Sequence, residues 1–418
     1  MHHPRRWTLA TLTLIPAAGV LALPSAYAAA APVAPAALTA TATPASSPSA
    51  SATPTPGPST TPSATASPAT TAVLTGPARL RVPGSTKTIA WPKAGHAELA
   101  VAGIGVMGRS GNRKSVPIAS VTKVMTAYLV LRDHPLAAGQ NGPKIKVTHA
   151  EAASYARRRA AGESLVKVAS GERITERQAL QGLLLASGNN MADILARWDA
   201  GSVPTFITRM NQTAAELGLT STHYADASGL NAASRSTTTD LLALAPAAMA
   251  DPTFAALVRQ THATIPLNKI KNTNKLLGRH GVIGIKTGST RAAGGCLLFA
   301  AQRTVAGHVY TIYGARLGAP GPKILGNAFA SSDALIVAAG KALRATTLVP
   351  AGQVVATLTS ADGTLVSLAP TRNLTAVGWA GLTYTLSLPA GLQPGQVPAT
   401  LTARIAGQTI TVPLAPIS

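Results

Sequence analysis

Cysteine is almost absent: the 418 residues contain one, Cys296. An intrachain disulfide is therefore excluded, and stability has to come from core packing. The surrounding Gly295-Cys296-Leu297-Leu298-Phe299 reads as a buried strand in which the thiol is a small apolar filler, not a nucleophile. Acids are scarce too, 14 against 36 lysines and arginines, for a formal net charge of +22. Thirty-two of the basic and 13 of the acidic residues lie between Arg79 and Arg344, so nearly all of the excess, about +19, belongs to that stretch. Its field should attract polyanions. Aromatic residues make up only 4%, and no basic stripe is interleaved with them, which argues against nucleic acid. The chain closes on Pro416-Ile417-Ser418 with neither an amphipathic helix nor an apolar run, so no C-terminal membrane anchor is expected.

What is present is unevenly spread. Met1-His2-His3-Pro4-Arg5-Arg6-Trp7 is basic, Thr8 to Leu23 is apolar, and Ala26-Tyr27-Ala28 offers the small residues that a signal peptidase reads. Residues 1–28 are thus expected to be an export signal; Pro16 makes an uncleaved span the weaker reading. Residues 29–75, almost wholly Ala, Pro, Thr and Ser, cannot bury a core and read as a disordered spacer. Residues 76–345 are expected to form one mixed domain. From about Thr347 the runs become short, rich in Thr and Val, and split by Gly, Pro and Asp, so 346–418 reads as a small β-sandwich-like domain. For an exported basic protein, anionic wall polymers or a charged envelope surface are better-suited partners than nucleic acid, the alternative being that the excess charge merely keeps the protein in solution.

Within the mixed domain, Ala97 to Val101 and Ile104 to Met107 read as strands. A helix follows through Ser120 and stops near Pro135. Residues 141–174 read as turns and short strands, with Arg157-Arg158-Arg159 taken as a solvated face. Thr175 caps a helix with Leu180, Leu183 and Leu184 as its buried stripe, and Thr237 to Asp240 forms a capping box for another. Gly294 to Ala300 and His308 to Ala315 suggest an antiparallel hairpin, and a helix from about Pro322 to Ala345 closes the domain.

Three stretches carry chemistry. Ser120 and Lys123 stand three residues apart on a helix, so hydroxyl and amine can meet across one turn as nucleophile and base, provided the amine is kept neutral. Ser187 and Asn189 flank Gly188 in a tight break between apolar helices, where short polar side chains can point into a cleft. Lys286-Thr287-Gly288 is expected on a strand beside the hairpin, Gly288 letting a ligand lie close against it. Each alone is also what an ordinary helix start, turn or strand looks like. Together and in this order they form the set shared by penicillin-binding proteins and class A β-lactamases.

The span from about Ala97 to Ala345 resembles the serine D-alanyl-D-alanine carboxypeptidases, the low-molecular-mass penicillin-binding proteins of the S11 type, in an actinobacterial form. The likeness extends to Pro117-Ile118-Ala119-Ser120, to Leu183-Leu184-Leu185-Ala186-Ser187-Gly188-Asn189, to Ser228-Gly229-Leu230 and to Gly284-Ile285-Lys286-Thr287-Gly288. It implies a transpeptidase fold of the α+β kind, an antiparallel sheet flanked by helices, followed by a C-terminal all-β domain. By the same resemblance Ser120 is acylated, Lys123 takes its proton, Ser187 relays a proton to the leaving amine, and Asn189 holds the substrate amide and Lys123. Lys286 and Thr287 take the substrate carboxylate, and the amides of Ser120 and Ser289 form the oxyanion hole. The implied substrate is a stem peptide ending in D-Ala-D-Ala, with β-lactams as inhibitors and neither metal nor cofactor. A secreted β-lactamase would need a deacylating glutamate, and the only one between Asn189 and Lys286 is Glu216, inside an amphipathic helix. A non-catalytic wall-binding protein would not need the full motif set.

Overall fold

In the computed structural model, residues 72–85, 89–360, 362–389, 392 and 399–417 are described. The expected export signal, and all but the last four residues of the expected spacer, lie outside them. At the centre of the larger part is a five-stranded antiparallel sheet, in the order Val282–Thr290, Gly294–Val305, His308–Ala319, His96–Val101 and Gly105–Ser110. The second of these strands alternates between two cores. Cys296, Leu298 and Ala300 belong to one apolar cluster, while Leu297, Phe299 and Ala301 belong to another. A strand buried on both faces reads as a continuous apolar run, as this one does.

Helices cover both faces. The first cluster is completed from α1 (Lys123–Asp133), α3 (Glu176–Leu184), α4 (Asn189–Ala200), α5 (Val203–Glu216), α6 (Thr238–Met249) and α7 (Pro252–Arg259), while α8 (Ile324–Ala342) serves the second through Phe329, Leu335, Ile336 and Ala339. The remaining helix, α2 (His149–Ala160), lies where only turns and short strands were expected. It buries no residue, so no apolar period marks it. What fixes it is a reciprocal capping box between Thr148 and Glu151, together with three arginines in its last turn. Thr175 and Gln178 make the same box for α3. At α6, Thr237 caps as expected, but the Asp240 carboxylate turns away to accept from the Ser221 amide and the Thr222 hydroxyl, so the expected box is only half formed.

The C-terminal strands form a seven-stranded sheet with a separate pair, Arg344–Val349 with Leu374–Gly378, and its core includes Leu401, Val412, Leu414 and Tyr384. This domain is not made of residues 346–418 alone. Ala72–Leu74 pairs with Ala356–Thr359 at one edge of the large sheet, and Arg79–Arg81 pairs with Thr383–Ser387 at the other. Strands of three residues carry too little alternation to be read locally; pairing partners some 280 residues or more away define them. They occupy both edges, where an unpaired strand would otherwise invite association.

Candidate active site

Ser120 lies in a single 3-10 turn, Ala119–Thr122, that runs directly into α1. Ala119 before it has φ +48°, a left-handed backbone unusual for alanine, and it turns the half-buried serine to the start of the helix. Two glycines make room for this turn. A Cβ on Gly229, itself at φ +79°, would stand 1.8 Å from the Ala119 carbonyl oxygen. A Cβ on Gly288 would meet the Ile118 oxygen at 2.9 Å and the Ser120 nitrogen at 3.0 Å. The close approach anticipated at Gly288 is therefore made first by the chain's own backbone: the Val282–Thr290 strand is pressed against the nucleophile turn.

Lys123 is wholly buried, and its Nζ has three partners at 2.8 Å each: the Ser120 hydroxyl, the Asn189 side-chain oxygen and the Ser228 carbonyl. Burial, which strips water from the ammonium, and next the charge of Lys286 pull its pKa well below the usual lysine range, against the opposing pull of Asp226 and Asp193. A neutral amine has two N–H donors and one lone pair. Asn189 Oδ1 and the Ser228 carbonyl can only accept, so they use both donors and leave the lone pair facing the Ser120 hydroxyl. After proton transfer, the third N–H points at the oxygen it came from. The same three contacts satisfy both states.

The second lysine, Lys286, is also buried, with Nζ donating to the Thr287 carbonyl at 3.1 Å, and burial alone brings its pKa down to about 7. It affects Lys123 through its charge, so the two amines share one region. Thr287 and Thr273 exchange a hydroxyl hydrogen bond at 2.6 Å, and the Thr273 amide donates to the Leu185 carbonyl, tying this strand to the break after α3. There Ser187 is buried at φ +61° and Asn189 opens α4. Ser289 is exposed at the end of the strand.

Direct contacts join Ser120, Lys123 and Asn189, and Gly288 abuts the Ser120 amide; Lys286 is linked to Lys123 by charge. Sequence reasoning passed over the supports. Asp226 accepts from the Ser228 and Ser234 hydroxyls and from the amides of Gly229 and Leu230, and so holds the loop whose Ser228 carbonyl meets Lys123. The nearby Ser228-Gly229-Leu230 text was the available signal. Thr273 had none. Arg158, taken as part of a solvated face, points inward to Glu163 and Asp193. Glu163 in turn accepts from Asn189 Nδ2 at 3.0 Å. Glu163 precedes Asn189 in the chain, outside the stretch from Asn189 to Lys286 in which Glu216 is the only glutamate, and Glu216 pairs with Arg132.

Comparison with known proteins points the same way. The family model described as D-alanyl-D-alanine carboxypeptidase, Peptidase_S11, matches residues 105–315. The D-alanyl-D-alanine carboxypeptidase DacB2 of Mycobacterium tuberculosis is 42% identical over 146 residues, covering 33% of this chain and 50% of that protein. The D-alanyl-D-alanine carboxypeptidase of Streptomyces sp. K15 is 35% identical over 202 residues, covering 44% of this chain and 67% of that one. The matched region thus spans half to two thirds of these relatives' length. Among solved structures, the Streptomyces K15 DD-transpeptidase is similar with a TM-score of 0.52 at 29% identity, over 60% of this chain and 98% of that chain. DacD from Francisella tularensis, at 19% identity, shares the fold with a TM-score of 0.57 over 79% of this chain and 94% of that chain. A family match across half of the sequence, on a chain in which Ser120, Lys123 and Asn189 are in direct contact, means that it belongs to the D-alanyl-D-alanine carboxypeptidases of peptidase family S11.

Proposed function

We propose that this chain is an exported serine-type D-Ala-D-Ala carboxypeptidase that trims the terminal D-alanine from peptidoglycan stem pentapeptides and is acylated by penicillins. The observation that carries the reading is the threefold contact of a buried, neutral-leaning Lys123 with Ser120, Asn189 and Ser228. Ser120 Oγ attacks the carbonyl carbon of the penultimate D-alanine while its proton passes to Lys123 Nζ. The backbone amides of Ser120 and Ser289 receive the negative oxygen, each such donor being commonly worth about 3 kcal/mol in a transition state. Collapse breaks the C–N bond, the leaving amine gains its proton through Ser187, and D-alanine departs. Water then attacks the ester, Lys123 takes its proton, and Ser120 leaves as the restored hydroxyl.

Lys286 and Thr287 serve the free carboxylate of the substrate, and Gly288 keeps their strand against the nucleophile. Burial brings the Lys286 pKa down to about 7, and an arriving carboxylate favours its protonated form, so the charge pair is completed by a substrate that has a free end. That favours a carboxypeptidase over an enzyme cutting within a chain.

Incubation of the full chain with a diacyl-Lys-D-Ala-D-Ala peptide should release D-alanine, and Ser120→Ala should abolish that release along with labelling by a fluorescent penicillin. Fast turnover of benzylpenicillin in place of a long-lived adduct would make the chain a β-lactamase. Binding to cell walls by wild type and Ser120→Ala alike, with no D-alanine released by either, would make it a wall-binding protein.

A further inference from the structure

We propose that Glu163 is a positioning residue that fixes which end of the Asn189 amide faces Lys123, and so reserves the lysine lone pair for Ser120. This rests on the reading of Ser120 and Lys123 given above.

A side-chain amide has a donating end and an accepting end of nearly equal size, so its orientation is decided by its partners. Lys123 cannot decide it. A neutral amine can donate to the amide oxygen or accept from the amide nitrogen, and only the first leaves the lone pair free. If Asn189 turned over, its N–H would occupy that lone pair in competition with the Ser120 hydroxyl, and one lysine N–H would lose its partner. Glu163 breaks the tie. Its Oε2 lies 3.0 Å from Asn189 Nδ2, and an ionised carboxylate accepts only. Turning the amide over would set oxygen against carboxylate on one side and cost the base its lone pair on the other.

For this lock to hold, Glu163 must be ionised and fixed in place. Burial works to raise its pKa, but the hydrogen bonds from Arg158 and Asn189 and the charges of Arg158 and Lys123 outweigh it and hold the carboxyl below its usual range. Arg158 donates to both carboxylate oxygens, at 2.7 to 3.1 Å, and anchors itself on Asp193 of α4 at 2.7 Å. The backbone carrying Glu163 is fastened to the start of the same helix: the Asn189 backbone N–H donates to the Ser164 carbonyl at 2.8 Å, and the Asn190 side chain exchanges two hydrogen bonds with the Val166 backbone. The carboxylate and the amide it orients are thus built on one rigid unit. The charge of Arg158 lowers the Lys123 pKa and so works against the pull that a nearby carboxylate exerts on that amine. With its oxygens engaged by Arg158 and Asn189, Glu163 is an orienting acceptor and not a base for water.

The test is a double-mutant cycle on the full chain. It measures kcat and KM for D-alanine release, and the second-order rate of labelling by a fluorescent penicillin, in wild type, Glu163→Ala, Asn189→Ala and the double variant. Glu163→Ala is expected to lower kcat and the labelling rate by about tenfold to a hundredfold, as misplacement of a catalytic group does, with KM changed little. Glu163→Gln, which keeps an acceptor but brings a donor end that can turn over together with Asn189, is expected to recover only part of the loss. In the Asn189→Ala background the second substitution should cost nothing further, since there is no amide left to orient. Labelling over long incubation keeps slow variants measurable, and Glu163→Met, which preserves bulk, replaces Glu163→Ala in the cycle should that variant melt markedly lower. The proposal is overturned by wild-type rates in Glu163→Ala, or by the same loss with Asn189 present and absent. A wild-type protein that released no D-alanine and took no label would instead overturn the reading of Ser120.

Discussion

The two cores of this molecule are built to different rules. Around the five-stranded sheet, buried side chains include Lys123, Lys286, Glu98, Glu176 and Arg316. In the C-terminal β domain, no charged residue is buried among the described ones, and the one large buried polar side chain, Tyr384, satisfies its hydroxyl on the Val377 carbonyl. A core that serves stability alone has no reason to hide an unpaired amine, because removing an ion from water costs several kcal/mol even after relaxation. Two buried lysines without a carboxylate partner stand where, on the proposed function, stability is given up for chemistry. The same burial drives Lys123 toward the neutral form that the proposed base requires.

Substitutions of opposite character should separate the two cores. The largest effect is expected from Lys123→Met, which should lower D-alanine release about a thousandfold through loss of the general base, with a melting temperature that holds or rises because a desolvated amine has gone. A melting point falling as far as a core leucine deletion brings it would mean that Lys123 supports the fold, and the contrast drawn here would fail. Next comes Leu401→Ala in the β domain. Leu401 is fully buried, and the cavity should cost about 2 to 5 kcal/mol in chemical denaturation while kcat per folded molecule stays unchanged. A matching fall in kcat would show that the β domain shapes the active site.

The smallest expected effect is in the pH profile, and it sharpens the comparison within the catalytic core itself. In the proposed mechanism the base must be neutral and the carboxylate anchor charged, so kcat/KM should rise with pH as Lys123 loses its proton and fall as Lys286 loses its own, near pH 7 in the free enzyme. Because the two amines interact, both limbs belong to the pair. In Lys286→Arg the guanidinium stays charged, and the alkaline limb should move up by about two units or more. An alkaline limb that did not move would assign it to another group.

Much of the fold was legible because burial leaves a period. The apolar stripe of α3, its cap at Thr175, the central hairpin and the end of α1 all stand where the pattern puts them. Where nothing is buried, nothing periodic is written, and α2 was missed for that reason. The strands at 72–74 and 79–81 were missed because three residues cannot show alternation; their place follows from pairing with strands at the far end of the chain.

In the site, the sequence by itself determined the reacting types and their order: a hydroxyl three residues before an amine, a serine and asparagine about a turn, a lysine on a strand. Spacing of three on a helix is a local constraint and survives any surroundings, so Ser120 and Lys123 meet at 2.8 Å. Tertiary structure alone decided what those groups can do. The lowered pKa of Lys123, the inward turn of Arg158 and the contact between Glu163 and Asn189 depend on dehydration and on partners far off in the chain, Ser228 and Lys286 among them. Electrostatic energy follows distance and surrounding medium, and neither is written along the chain.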